Sequence, residues 1–212
     1  MRTFFNSQMD LLNTELIKMG SLCEEIIGLS IKALQNRKDL YKEVANLESQ
    51  IDRQENGIQD LCMQILLQQQ PVAGDLRKVY SALKIISDME RIGDMALDIA
   101  KIAKELTKDD CQAGLEDMAK STIEMVSCCV DCFIKQDLNI AHKVIENDDI
   151  IDGLFYKIKQ SIITRLGVDS HHSEALINYL MIAKYFEKIA DHSTNIAEWV
   201  KYSITGHYVG EE

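Results

Sequence analysis

Four pairs of carboxylates stand one helical turn apart along this chain: Glu48/Asp52, Glu90/Asp94, Asp148/Asp152 and Glu187/Asp191, with Asp98 one turn beyond Asp94. Residues at i and i+4 share one face of a helix, where like charges repel modestly in water and more strongly once desolvated. Carboxylates gathered out of water need protonation, basic partners or a bound cation. An all-oxygen donor set suits hard cations such as Mg²⁺, Mn²⁺ or Ca²⁺, and carboxylate-bridged iron. Zinc is admissible but more often brings His or Cys. These nine residues are the candidate metal ligands. Two blander readings compete. In a chain with 34 acids, such spacing also arises by chance on a solvated face. Arg53, Arg91 and Lys188 lie beside the motifs and could neutralise them internally.

The elements that must position these groups are helices. Across 212 residues there is one proline, Pro71, which argues for long uninterrupted helices with short connections. Six can be read. The first runs from about Phe4 to Gln35, with a seam at Met9, Leu12, Leu16, Met19, Cys23 and Ile26. After the break Asn36-Arg37-Lys38, Asp39 is placed as N-cap of a second helix that ends near Gln70-Pro71. The third extends to about Leu106 and is followed by Thr107-Lys108-Asp109-Asp110. The fourth reaches about Gln136, Asp137 caps the fifth, and Gly167 stops it after Leu166. The sixth spans about Ser173 to Tyr202. Continuing the third helix's seam through Leu76, Val79, Leu83 and Ile86 lands on Glu90, so the apolar stripe is expected to run into Glu90, Asp94 and Asp98.

Three helices, a break and three more suggest a duplication. Val44, Glu48 and Asp52 recur 100 residues later as Val144, Asp148 and Asp152; Leu83, Glu90 and Asp94 recur 97 later as Leu180, Glu187 and Asp191. The expectation is an all-α chain of two tandem antiparallel three-helix bundles, 1–107 and 108–205, with a frayed tail over 206–212. If the second and third helices of a half are neighbours, four carboxylates can converge in each. Gly93, mid-helix, costs about 1 kcal/mol relative to Ala; a close neighbouring helix or a hydrated metal would account for it.

Net charge of −11 opposes binding to nucleic-acid phosphates. No apolar run is long enough to span a membrane, and the N-terminus has no export signal, so a cytoplasmic location without membrane insertion is expected. Six cysteines, at 23, 62, 111, 128, 129 and 132, read as reduced, buried side chains.

Met89 to Ala100, MERIGDMALDIA, and Phe186 to Glu198, FEKIADHSTNIAE, resemble the duplicated ERIGDHAxNIAE signature of the PhoU family, and Gln70 to Arg77, QPVAGDLR, resembles the segment before its first copy. The resemblance covers almost the whole chain. It implies two three-helix bundles whose E(D)xxxD motifs hold multinuclear metal clusters, iron among them. It also implies a non-enzymatic cytoplasmic regulator that contacts the ATPase subunit of the phosphate ABC transporter and a phosphate-sensing histidine kinase. The departures are Met95, Asp98, Lys188 and Ala190, none of which removes a motif carboxylate; Asp98 adds a potential ligand. Two other classes compete with this one. A ferritin-like carboxylate metalloenzyme would carry Glu-x-x-His pairs, and none occurs. A metal-free helical adaptor would leave the acids solvated. No P-loop or nucleophile triad stands out. Apolar seam residues left uncovered would support a homodimer.

Overall fold

The computed structural model describes residues 2–36, 39–69, 71–106, 114–168 and 172–207. They form six helices, α1 (Arg2–Asn36), α2 (Tyr41–Gln69), α3 (Ala73–Ala103), α4 (Leu115–Lys135), α5 (Leu138–Leu166) and α6 (Ser173–Thr205), and no strand. Arg37-Lys38, Gln70, the break at 107–110, Cys111 and the tail beyond His207 lie outside the described residues.

Local chemistry accounts for the helix ends. Asp137 Oδ1 accepts from Asn139 N at 2.8 Å, and Asp39 Oδ1 accepts from Tyr41 N at 3.2 Å, each satisfying an N–H that its helix leaves open. Gly167 does follow the end of α5, but in right-handed conformation (φ −73°), so its freedom to turn left is not what ends the helix. Left-handed closures occur instead at Gln136 after α4 and at Gly206 after α6, where Gly206 N donates to Tyr202 O at 2.8 Å.

Helices α2, α3, α6 and α5 lie side by side in that order, with α3 against α6 the most extensive pairing. Helix α1 packs on α2 and α3, α4 packs on α5 and α6, and α1 meets α4, so these two cover one face. Helix α1 runs parallel to α3: Cys23 Sγ reaches Met89 O at 3.5 Å and Ser30 Oγ reaches Ala96 O at 2.7 Å. The pairing of α3 with α6 is antiparallel, with Tyr80 against Trp199 at one level and Asp88 against His192 further along.

Burial follows the duplicated register. Val44, Ile51, Ile58 and Cys62 on α2 match Val144, Ile151, Ile158 and Ile162 on α5, all buried. On the central helices, Val79, Ile85, Met89, Ile92 and Ile99 match Leu176, Ile182, Phe186, Ile189 and Ile196, again all buried. Cys23, Cys62, Cys129 and Cys132 are buried and Cys128 partly so, all as free thiols.

The seam expected on α3 needs correction. Val79 and Ile86 of that seam are buried, but Leu76 is 45% exposed and Leu83 only partly buried, and Ala82, Ile85, Met89, Ile92, Ala96 and Ile99 widen the buried face. A helix packed against α1, α2 and α6 buries a wider arc, rotated from a two-helix seam. The file of Glu90, Asp94 and Asp98 therefore borders the apolar face rather than continuing it.

Gly93 is explained by a neighbouring helix. A Cβ there would stand 3.1 Å from Ile51 Cδ1 and 3.5 Å from Ile51 Cγ2, so the missing side chain lets α2 approach α3. Gly20 plays the same part between α1 and α4, where a Cβ would lie 3.0 Å from both Val130 methyls. Overpacking of this kind costs about 2 kcal/mol, so Gly93→Val is expected to lower Tm by roughly 6 °C. Adding Ile51→Ala should restore part of that loss, a non-additive pair in a double-mutant cycle of thermal melts.

Candidate functional site

The acids sit on the edge of each half where the outer helix meets the central one, on the side turned away from α1 and α4. On α3, Met89 and Ala96 face α1, so the positions half a turn around, at Arg91, Asp94 and Asp98, look out from the opposite face. Glu48, Asp52, Glu90, Asp94, Asp98, Asp148, Glu187 and Asp191 are partly buried; Asp152 is exposed.

In the first half, α2 and α3 bring their carboxylates within electrostatic reach of one another. Burial, then Asp94, then Arg91 acting in the opposite sense, and then Glu55 and Asp52, set the Glu90 carboxyl above its usual range. Asp94 is raised by burial, opposed by Arg91, and raised further by Asp52 and Asp98. Glu48 is raised by burial first, with Asp52 and Asp94 adding to it. Arg91 offsets part of this: its Nη1 lies 3.1 Å from Asp94 Oδ2 and its Nε 3.4 Å from Glu90 Oε2. Arg53 is exposed and is not among these ion pairs.

The second half repeats the arrangement with other counter-charges. Burial pushes the Asp148 carboxyl up to about 6, with Asp191, Asp152, Glu187 and Asp149 adding to it, and Asp148 Oδ1 is enclosed without a hydrogen-bond partner. Asp152 is raised by burial and by Glu187 and Asp191, against Lys184. Lys184 Nζ lies 2.6 Å from Glu187 Oε2, a charge contact without hydrogen-bond direction, and Lys188 pairs with Asp191.

Three features escaped the reading of spacing. Glu55 on α2 joins the first cluster, its carboxyl raised by burial and by Asp52. It continues the file 48, 52, 55 at helical spacing, but Phe155 stands at its counterpart, so a search for repeated acids passes over it. Lys184 has Ser87 as its counterpart. The third is a polar seam between the halves. His192 Nδ1 lies 2.8 Å from Asp88 Oδ1, and Asn195 Nδ2 donates to the same oxygen at 3.3 Å. The Tyr185 hydroxyl donates to Asp98. Asp98 thus serves the seam as well as standing beside Asp94.

As arranged, no group of three or more His, Cys, Asp or Glu among the described residues is drawn tightly enough to hold a metal ion. Mutual repulsion spreads the carboxylates, and Arg91, Lys184 and Lys188 fold onto them. In chemical kind the donors nevertheless fit a hard cation: all are oxygen, they come from two helices in each half, and Asp148 offers an enclosed acceptor without a partner.

Two three-helix units joined along their central helices, each edged by a two-helix acidic ridge, define a class of tandem-repeat helical protein. Both units match the PhoU domain, over residues 16–103 and 115–200, and the chain belongs to the PhoU family. It is 32% identical to a phosphate-specific transport system accessory protein PhoU homolog of Clostridium acetobutylicum, over 98% of this chain and 97% of that one. It is 30% identical to the phosphate-specific transport system accessory protein PhoU of Escherichia coli, over 98% and 90%. The crystal structure of PhoU from Pseudomonas aeruginosa superposes with a TM-score of 0.92 at 28% identity, covering 96% of this chain and all (100%) of that one. The phosphate transport system regulatory protein PhoU of Streptococcus pneumoniae gives 0.89 at 26% identity, over 97% and 99%.

The raised Asp148 carboxyl has a measurable consequence. Folding lifts its pKa from 3.8 to about 6, so the stability it contributes is complete below about pH 4 and lost as pH rises through about 6. Asp148→Asn is expected to stabilise the chelator-treated protein at pH 7.5 by about 1 kcal/mol, a figure already reduced for solvent screening and equal to roughly 3 °C in Tm. It should also flatten the Tm profile between pH 4 and 7. An unchanged profile would show that another group carries the dependence.

Proposed function

We propose that this protein regulates phosphate uptake and phosphate-regulon signalling from the cytoplasm. It acts through contact with the ATPase subunit of a phosphate ABC transporter and with a phosphate-sensing histidine kinase. The observation that carries this reading is the PhoU-domain match of both repeats together with relatives named as accessory proteins of phosphate-specific transport. Such a role asks for surfaces rather than a catalytic pocket, and among the described residues no helix is long and apolar enough to cross a membrane.

The two ridges are proposed to hold metal ions: multinuclear iron, the hard cations Mn²⁺ or Mg²⁺, or the softer Zn²⁺. Glu48, Asp52, Glu90 and Asp94 would form the first ligand set, with Asp98 at its margin; Asp148, Asp152, Glu187 and Asp191 would form the second. A bound cation supplies positive charge and open coordination positions for a carboxylate or phosphate group of a partner. The chain's own part is to hold the oxygens at the helix junction and to release Arg91 and Lys188 from them. Association of two copies through exposed apolar residues would present four ridges at once.

A second reading is favoured by one observation: Arg91 and Lys188 already pair with the acids, which suits a metal-free adaptor. The two readings separate on Arg91→Ala. In the cation-holding protein, removing a competing charge strengthens Mn²⁺ binding by roughly 3- to 10-fold in a calorimetric titration. In the adaptor no Mn²⁺ binding is seen, and only Tm falls.

Contact with partners is tested by capture of the purified transporter ATPase and of the kinase on immobilised protein, for wild type and for the Glu90→Ala/Glu187→Ala variant. The expected result is capture of both by wild type and loss of at least about tenfold in affinity in the variant. Capture of neither by wild type would refute the regulatory reading; equal capture by the variant would confine the ridges to a structural role.

A further inference from the structure

We infer that the junction between the two halves carries a binding site for a small amphiphilic carboxylate, on the side of the molecule covered by α1 and α4 and away from the acidic ridges. A cavity of about 310 Å³ opens there, within the size range of small-molecule sites. Its apolar wall includes Leu16 of α1, Ile85 of α3 and Phe133 of α4, and α6 reaches it through Ser203. An occupant would therefore touch both repeats.

The polar lining is Asn13, Lys78, Ser81, Gln136 and Ser203, and two of these, Lys78 and Ser81, stand one turn apart on α3. Ser81 is 1% exposed, and its hydroxyl has no hydrogen-bond partner. Among the described residues one other enclosed hydroxyl, Thr194 Oγ1, lacks a partner, and Thr194 does not line this cavity. The buried hydroxyls of Ser30, Thr122 and Ser193 each donate to the carbonyl four residues earlier, at 2.8, 2.9 and 2.9 Å, and Ser203 donates to Val200 O at 2.7 Å. A mid-helix serine has that local bond available, so one that lines a cavity and forgoes it is left to bond an occupant. Lys78 stands three residues before Ser81, on the same face of α3, and it is the only ionised residue among the described residues lining the cavity. In a chain of net charge −11, a cavity whose single charge is an ammonium selects an anion. The ammonium and the hydroxyl would hold the carboxylate head, and Leu16, Ile85 and Phe133 would enclose an alkyl or aryl body.

Octanoate is a suitable probe, with octylammonium as the charge-reversed control, titrated calorimetrically into the full chain. Saturable octanoate binding is expected, at least about tenfold tighter than that of octylammonium. Lys78→Met, a change at an exposed position that leaves the core intact, is expected to weaken octanoate roughly tenfold. Ser81→Ala should weaken it roughly 3- to 10-fold without lowering Tm, because the variant also removes a buried hydroxyl that lacks a partner. No saturable binding, equal binding of octylammonium, or wild-type affinity in either variant would overturn the assignment.

Discussion

The close approach of each outer helix to its central helix is the constraint on which the rest of the molecule depends. On the first half it is made where Gly93 leaves room for Ile51; in the second, Ile151 and Ala190 occupy the equivalent positions, both buried. Apolar packing at this level holds the helices together, and the carboxylates stand just beside it. Repulsion between them is thus sustained by the core beneath. The physical trace is the upward displacement of Glu48, Glu90 and Asp94 in one half and of Asp148 and Asp152 in the other. Such an edge is held open to any positive charge that relieves it, whether a side chain, an ion or a partner's surface.

The two halves are joined by a pairing that respects the duplication while allowing them to differ. Asp88 bonds Asn195 across the seam, and Tyr185 bonds Asp98. Under the repeat, Asp88 corresponds to Tyr185 and Asn195 to Asp98, so these are one contact made twice with exchanged chemistry. The same licence appears at the ridges. The first has Glu55 and a single arginine; the second has Phe155 and two lysines, Lys184 and Lys188. Arg91 spans Glu90 and Asp94, and Lys188 likewise spans Glu187 and Asp191, but the second ridge carries a further ammonium, Lys184, on Glu187. The ridges are therefore electrostatically unequal, and equal occupancy by a cation or a partner is not built into them.

The α3–α6 pairing also makes the molecule two-sided. Acidic ridges line one face, while α1 and α4 close the other and leave between them the cavity around Ser81. The faces share α3, so an occupant on one side and a partner on the other would act on the same rigid helix.

The six helices, their order and the repeat were legible because they rest on local signals: capping by Asp39 and Asp137, one proline, and periodic apolar residues at offsets of 100 and 97. The motif acids were found for the same reason. What spacing could not supply was the direction in which α3 is buried. A helix with three neighbours hides a broad arc, and only the packed arrangement decides that Leu76 is outside it and Ala82 within it. Glu55, the Asp88–His192 seam and the unpartnered Ser81 hydroxyl were invisible on similar grounds: each acquires meaning from a residue far away in the chain, or from its absence, whereas Lys184, three residues before Glu187, was within reach of spacing. Sequence alone determined which elements form and which charges they carry, since both follow from near neighbours along the chain. Tertiary structure decided which of those charges meet across helices, because such distances are set by packing and not by spacing, whereas Arg91, Lys184 and Lys188 pair with acids of their own helices.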